Sequence, residues 1–130
     1  AMAAQWTPDM TTGIDELDQQ HQELIRRVNA FAEALSTGAG AGQVAELLDF
    51  CLAYAEQHFA LEEAHMERLN CPAALANRRG HAYFRRRFGA LAAKVAAGGG
   101  SAGASIETAR ELTAWLTNHI QTVDAELAKV

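Results

Sequence analysis

Between three breaks in this chain the apolar residues recur at steps of three and four, the spacing of helices that bury one face. The breaks are Ser36-Thr37-Gly38-Ala39-Gly40-Ala41-Gly42, Asn70-Cys71-Pro72 and Gly98-Gly99-Gly100-Ser101. Each combines residues that leave the helical conformation readily, and Pro72 cannot continue a helical ladder. Strand structure finds no alternating run to start from. A first segment, over about 15–35, aligns Leu17, His21, Leu24, Val28, Phe31 and Leu35 on one stripe. A second, over about 43–69, aligns Val44, Leu48, Cys51, Ala55, His58, Glu62, His65 and Leu69. A third, over about 73–97, aligns Asn77, His81, Phe84, Phe88, Leu91 and Val95. The fourth, over about 105–128, aligns Ala109, Leu112, Leu116, His119 and Val123, with Ser105 and Thr108 as candidate N-caps. Short connections between helices of similar length favour an all-α, antiparallel up-down-up-down four-helix bundle with an N-terminal arm. With 130 residues, 49% of them apolar, the chain is expected to form one domain over 1–130 around one core.

Composition narrows the function classes. Eleven Lys+Arg against sixteen Asp+Glu give a formal charge of −5. Apart from Arg78-Arg79 and Arg85-Arg86-Arg87 the cations are spread among acids, which is neither a nucleic-acid footprint nor a polybasic membrane patch. No apolar run reaches the roughly 20 residues of a membrane span, and Ala1 to Asp9 carry no charged-then-apolar leader pattern. A cytoplasmic location is the expectation. Cys51 and Cys71 lack the spacing of a zinc knuckle or disulfide framework and are expected to be reduced, inert thiols.

The polar residues on the apolar stripes carry the chemistry. All five histidines, His21, His58, His65, His81 and His119, fall there. One buried histidine is ordinarily a hydrogen-bonded core residue; five on four helices imply a shared purpose. Glu62 shares the second helix's stripe, and an unpaired carboxylate in a bundle interior costs several kcal/mol or is forced to protonate. A positive charge is therefore expected nearby. At 100° per residue, His58 to Glu62 turns by about 40° and Glu62 to His65 by about −60°, so the three project into one arc. Asn77 and His81 form a second four-spaced pair, while His21 and His119 contribute from the outer helices. Imidazoles and carboxylates converging from every helix are how bundle-core metal sites are built, and this many ligands implies two ions with Glu62 available as a bridge. Asp124, five residues after His119, is turned by about 140° from it. Spacing alone leaves it either solvent-facing or brought inward by a one-residue bulge or a generous side-chain reach.

Read together, Trp6, Gly13-Ile14-Asp15, Asp18-Gln19-Gln20-His21, His58-Phe59-Ala60-Leu61-Glu62-Glu63, Met66, Trp115-Leu116-Thr117-Asn118-His119-Ile120 and Asp124 resemble the bacterial hemerythrins across nearly the whole chain. The resemblance implies a four-helix bundle with a non-haem di-iron centre that binds O2 reversibly. It implies that His21 and His58 serve one iron, that the third-helix pair and His119 serve the other, and that Glu62 and Asp124 bridge, together with an oxo or hydroxo group. The chain departs from that pattern at one ligand, because Asn77 stands where the third helix should carry the first imidazole of a four-spaced pair. A neutral amide oxygen is a weak iron ligand, so its ion would be held more loosely. Glu62-Glu63-Ala64-His65 supplies a Glu-x-x-His of the type used in di-iron carboxylate bundles, and His65 is expected to replace the missing nitrogen. The alternative is that His65 hydrogen-bonds Asn77 or solvent.

Phe59, Met66, Phe84, Trp115, Leu116 and Ile120 are apolar and close to these residues in sequence, and Phe59, Trp115, Leu116 and Ile120 are the expected wall of a ligand pocket. An apolar wall suits a small neutral ligand such as O2 and suits hydrolysis poorly. The first functional expectation is reversible O2 binding for storage, delivery or sensing. The alternatives are a di-iron redox enzyme reducing peroxide, NO or O2, and a metal-free signalling bundle, which would need an exposed histidine. The run Arg85-Arg86-Arg87 reads as a solvated face, with a docking surface for a redox or signalling partner as the alternative.

Overall fold

The computed structural model describes residues 4–97 and 102–130, the side chains of 41 and 102–105 excepted. Four helices form where the apolar stripes predict them: α1 (Asp15–Ser36), α2 (Ala41–Arg68), α3 (Ala74–Ala96) and α4 (Ala102–Thr122). No strand occurs among the described residues. Helix α1 packs against α2 and α4, and α3 packs against the same two, giving a four-cornered bundle.

The two described breaks end their helices by the same device. Gly38, at φ 77°, lets Ala39 N–H reach Ala34 O at 2.9 Å and Gly38 N–H reach Leu35 O at 3.3 Å. Asn70, at φ 51°, does likewise, with Cys71 N–H on Met66 O at 2.9 Å and Asn70 N–H on Glu67 O at 3.2 Å. Both are Schellman closures, which need a left-handed residue after the C-cap. The third expected break, 98–101, lies outside the described residues. Because α4 starts at Ala102, Ser105 and Thr108 lie inside it and are not N-caps. Its far end differs from the expected continuous helix as well: the α-helix stops at Thr122, and a 3₁₀ turn runs over Asp124–Lys129.

An N-terminal arm precedes α1. It is tied down by a reciprocal pair, Ala4 N–H on Asn29 Oδ1 at 2.8 Å and Asn29 Nδ2 on Ala4 O at 2.9 Å. Thr12 donates through both its N–H and its hydroxyl to Asp18 Oδ1, each at 2.8 Å, fixing the entry to α1.

The core divides in two. A large apolar cluster contains Leu24, Val28, Phe31, Leu48, Cys51, Phe59, Phe84, Phe88, Leu112, Leu116 and Ile120. A small one contains Leu17, Met66, Cys71 and Leu127. Between Leu17 and Leu24, Phe59 and Met66, Cys71 and Phe84, and Ile120 and Leu127, the buried residues are polar: His21, Glu62, Asn77, His81 and Asp124, with His58 and His119 beside Phe59 and Ile120. A polar layer thus crosses the bundle with apolar material on both sides. The order small-to-large reverses on each successive helix, as antiparallel neighbours require.

Since a side chain at residue 38 would meet no atom within 4 Å, Gly38→Ala isolates the cost of the left-handed backbone. The expected loss is about 1 kcal/mol in urea unfolding.

Candidate metal centre

In the polar layer, His21 on α1, His58 on α2, His81 on α3 and His119 on α4 turn Nε2 toward two carboxylates, Glu62 and Asp124. All six are at most 5% exposed. The carboxylates divide their oxygens between the imidazoles. Glu62 Oε2 lies 3.0 Å from His21 Nε2 and 3.2 Å from His58 Nε2, while its Oε1 lies 3.1 Å from His81 Nε2. Asp124 Oδ2 lies 3.1 Å from His21 Nε2, and its Oδ1 lies 3.1 Å from His119 Nε2. Two overlapping groups result, His21-His58-Glu62-Asp124 and Glu62-His81-His119-Asp124, the donor atoms of each lying within 4.8 Å of one another.

Asp124 reaches the layer because the chain tightens. On a continued α-helix it would point about 140° away from His119. The α-helix instead gives way at Val123 (φ −108°, ψ −59°) to the 3₁₀ turn that begins at Asp124, which is 1% exposed. The spacing argument offered a bulge, a long side-chain reach or an outward Asp; the chain uses a change of helix type.

The imidazoles are oriented from outside by groups that sequence reasoning passed over. His58 Nδ1 lies 2.7 Å from Gln20 Oε1, and His81 Nδ1 lies 2.7 Å from Glu63 Oε2. Both partners accept only, so each ring carries its proton on Nδ1 and turns the lone pair of Nε2 into the layer. Gln20 and Glu63 stand beside His21 and Glu62 in sequence, and that adjacency was the available signal. His119 is set by Gly80. A Cβ built there would stand 2.5 Å from His119 Cε1 and 2.8 Å from its Nδ1, so the ring occupies the place of the absent side chain.

Two of the expected wall residues lie on imidazoles. Phe59 stacks on His81 at 3.8 Å between ring centres, and Trp115 stacks on His119 at 4.6 Å. Phe84 meets Phe59 edge-on at 5.0 Å, and Arg85 lies over the Phe59 ring from the solvent side. Leu116 and Ile120 are buried in the large cluster, and Met66 in the small one. Of the arginine run, Arg85 pairs with Glu56 and Arg87 with Glu111.

His65 is not brought to the layer. It is half-buried on the outside of α2, with Nε2 3.8 Å from Glu16 Oε1 and Nδ1 2.9 Å from Arg68 Nη2. From Glu62, Met66 is turned about 40° to one side and His65 about 60° to the other. The bundle buries the Met66 side, since Met66 is fully covered. Asn77, in contrast, is fully buried in the layer, with a terminal atom of its carboxamide 3.0 Å from His119 Nε2.

Without a cation the layer holds itself together through protons. Burial opposes a charge on His21, yet hydrogen bonds and charge from Asp124 and Glu62 raise its pKa to about 9. Burial likewise opposes the raised pKa of His119, which Asp124 supports most. Burial would raise the pKa of Glu62, but the imidazoles around its carboxylate, His21 foremost, outweigh that and hold it well below the usual carboxylate range. Cys51, free and buried, has its thiol pushed up to about 12 by burial and is inert.

The residues fit a metal. His58 Nε2 is buried, has no hydrogen-bond partner and lies in a group of imidazoles and carboxylates, the donor set that suits first-row divalent ions. The sequence model of the hemerythrin HHE cation-binding domain matches residues 12–130. The chain belongs to that family. It is 34% identical over 123 residues to a bacteriohemerythrin of Stenotrophomonas maltophilia, covering 95% of this chain and 78% of that protein. Bacteriohemerythrins of Pseudomonas paraeruginosa and Pseudomonas aeruginosa are each 31% identical over 120 residues, covering 92% of this chain and 76% of theirs. Among the described residues no helix is long and apolar enough to cross a membrane.

Two outcomes are expected from this geometry. Replacing glycine inside a helix by alanine ordinarily gains about 1 kcal/mol. Gly80→Ala should lose about 1–3 kcal/mol in denaturant unfolding, because the new methyl displaces the His119 ring. In chelator-treated protein, the stability that protonated His21 contributes is complete below pH 6.5, its ordinary value, and is lost as pH rises through about 9. Urea midpoints measured across that range should therefore fall.

Proposed function

We propose that this chain binds dioxygen reversibly at a pair of iron ions held in the polar layer, for storage, delivery or sensing. The observation that carries the reading is the division of both carboxylates between two imidazole sets, which is the arrangement expected of groups that bridge two cations. In this reading His21 and His58 would hold one ion and His81 and His119 the other, with Glu62 and Asp124 available to both. Family membership and the curated bacteriohemerythrin relatives support iron as the metal. Once bound there, a pair of iron ions would supply the reversible redox chemistry that dioxygen binding needs.

The protein's own part is to orient, neutralise and exclude. Gln20 and Glu63 keep the lone pairs of His58 and His81 inward by accepting their Nδ1 protons. Glu62 and Asp124 offset the cationic charge inside an apolar bundle, where an uncompensated charge would be costly. Phe59 and Trp115 cover the imidazoles of α3 and α4, and Leu116 and Ile120 continue the apolar wall in the large cluster. A neutral diatomic enters such surroundings without losing strong hydration; a charged substrate does not. With no general base uncommitted in the layer, binding is favoured over hydrolysis. A cytoplasmic location is part of the reading, and the two free, buried thiols support it.

Protein loaded anaerobically with iron(II) should contain two ions per chain, one for each donor group. On exposure to oxygen it should develop a near-ultraviolet band that disappears when oxygen is removed under vacuum. A spectrum that stays oxidised after oxygen removal would assign the centre to oxygen or peroxide reduction instead. His58→Ala, which removes an imidazole and leaves Glu62 in place, should lower bound iron and abolish the reversible band.

A further inference from the structure

The two donor groups share Glu62 and Asp124, and each adds two imidazoles, yet only the second contains an amide. The outer terminal atom of the Asn77 carboxamide lies 2.9 Å from Glu62 Oε1 and His81 Nε2, and 3.0 Å from Asp124 Oδ1 and His119 Nε2. Two of these neighbours are carboxylate oxygens, and the His81 nitrogen presents a lone pair because its proton is committed to Glu63. An amide oxygen at that point would face acceptors at hydrogen-bond distance. An amide NH2 there has two protons, which it donates to the two carboxylate oxygens. The whole side chain is buried, so no solvent competes for these bonds.

Resting on the reading of the layer as a two-ion centre, we propose that Asn77 is an internal plug for the second donor group, its amide standing among the four donor atoms and holding with hydrogen bonds the two carboxylate oxygens that a cation needs there. The first group has no such occupant: its carboxylate oxygens, Glu62 Oε2 and Asp124 Oδ2, meet only the imidazoles of His21 and His58, which are themselves ligands. Ion uptake is therefore ordered. The group of His21, His58, Glu62 and Asp124 loads first. The group of His81 and His119 loads only when the Asn77 amide gives up its bonds to Glu62 and Asp124. These bonds are strong because their acceptors are charged and dry. The chain has a stable half-loaded state, and the second equivalent of metal converts it to the complete centre. Nothing else in the layer replaces the missing imidazole, since His65 faces Glu16 and Arg68.

The test is an anaerobic calorimetric titration of the full, chelator-stripped chain with cobalt(II), a redox-stable probe. The native chain should bind in two resolved steps whose dissociation constants differ about tenfold or more, the scale at which one hydrogen-bonding partner alters metal affinity. Asn77→Ala removes the plug without adding a ligand, so the second step should become several-fold tighter while the ion-free protein becomes less stable to urea. Asn77→His should merge the steps into one of two equivalents, and it keeps the question answerable if the alanine variant does not fold. A single unresolved step in the native chain overturns the proposal but leaves the two-ion reading intact. So does a weaker second step in Asn77→Ala, which makes the amide a ligand, or a pair of steps that stays separated in Asn77→His. Absence of any cobalt binding overturns the two-ion reading itself.

Discussion

Two carboxylates and four imidazoles buried in a layer between apolar clusters are the constraint on which the rest of this molecule depends. Left apart, each carboxylate would lose its hydration without return, and a bundle of this size has only a few kcal/mol of net stability with which to offset that. Brought together, they stabilise one another: the histidines hold Glu62 ionised, and the carboxylates hold a proton on His21 against the cost of burial. The protons and the proposed cations therefore play the same electrostatic part. A layer that must be neutralised in one of these ways fixes the register of all four helices, because a one-turn slip of any helix would leave a charge facing hydrocarbon.

The fold was largely legible in the sequence. Helix spans follow the apolar stripes to within a few residues in α1, α2 and α3, and the described breaks contain the residues, Gly38 and Asn70, that adopt left-handed backbone. The least legible stretch was the end of α4. A periodicity argument assumes that one helix type persists, and here an α-helix becomes a 3₁₀ turn between His119 and Asp124. That local change turns an apparently outward acid into a buried one.

Within the layer, legibility followed sequence spacing and stopped where cross-helix approach decides. His58 and Glu62, and Asn77 and His81, share faces by their four-residue steps and are found together. His65 sits one residue short of the four-residue step from Glu62 that buries Met66, which is enough to place it against Glu16 outside the bundle. Gln20, Glu63 and Gly80 carry no periodic signature, since their parts are played toward rings on other helices. Asn77 was visible as a departure from the family pattern. Its amide's approach to four donor atoms on four elements became apparent only from the assembled layer.

Crystals grown anaerobically with iron(II), with anomalous diffraction recorded on both sides of the iron absorption edge, give the most direct examination of this account. It predicts iron peaks inside the polar layer, one bounded by His21 and His58 and the other by His81 and His119, both in contact with Glu62 and Asp124. Iron found only on the protein surface, with the layer still closed by its own hydrogen bonds, would contradict it.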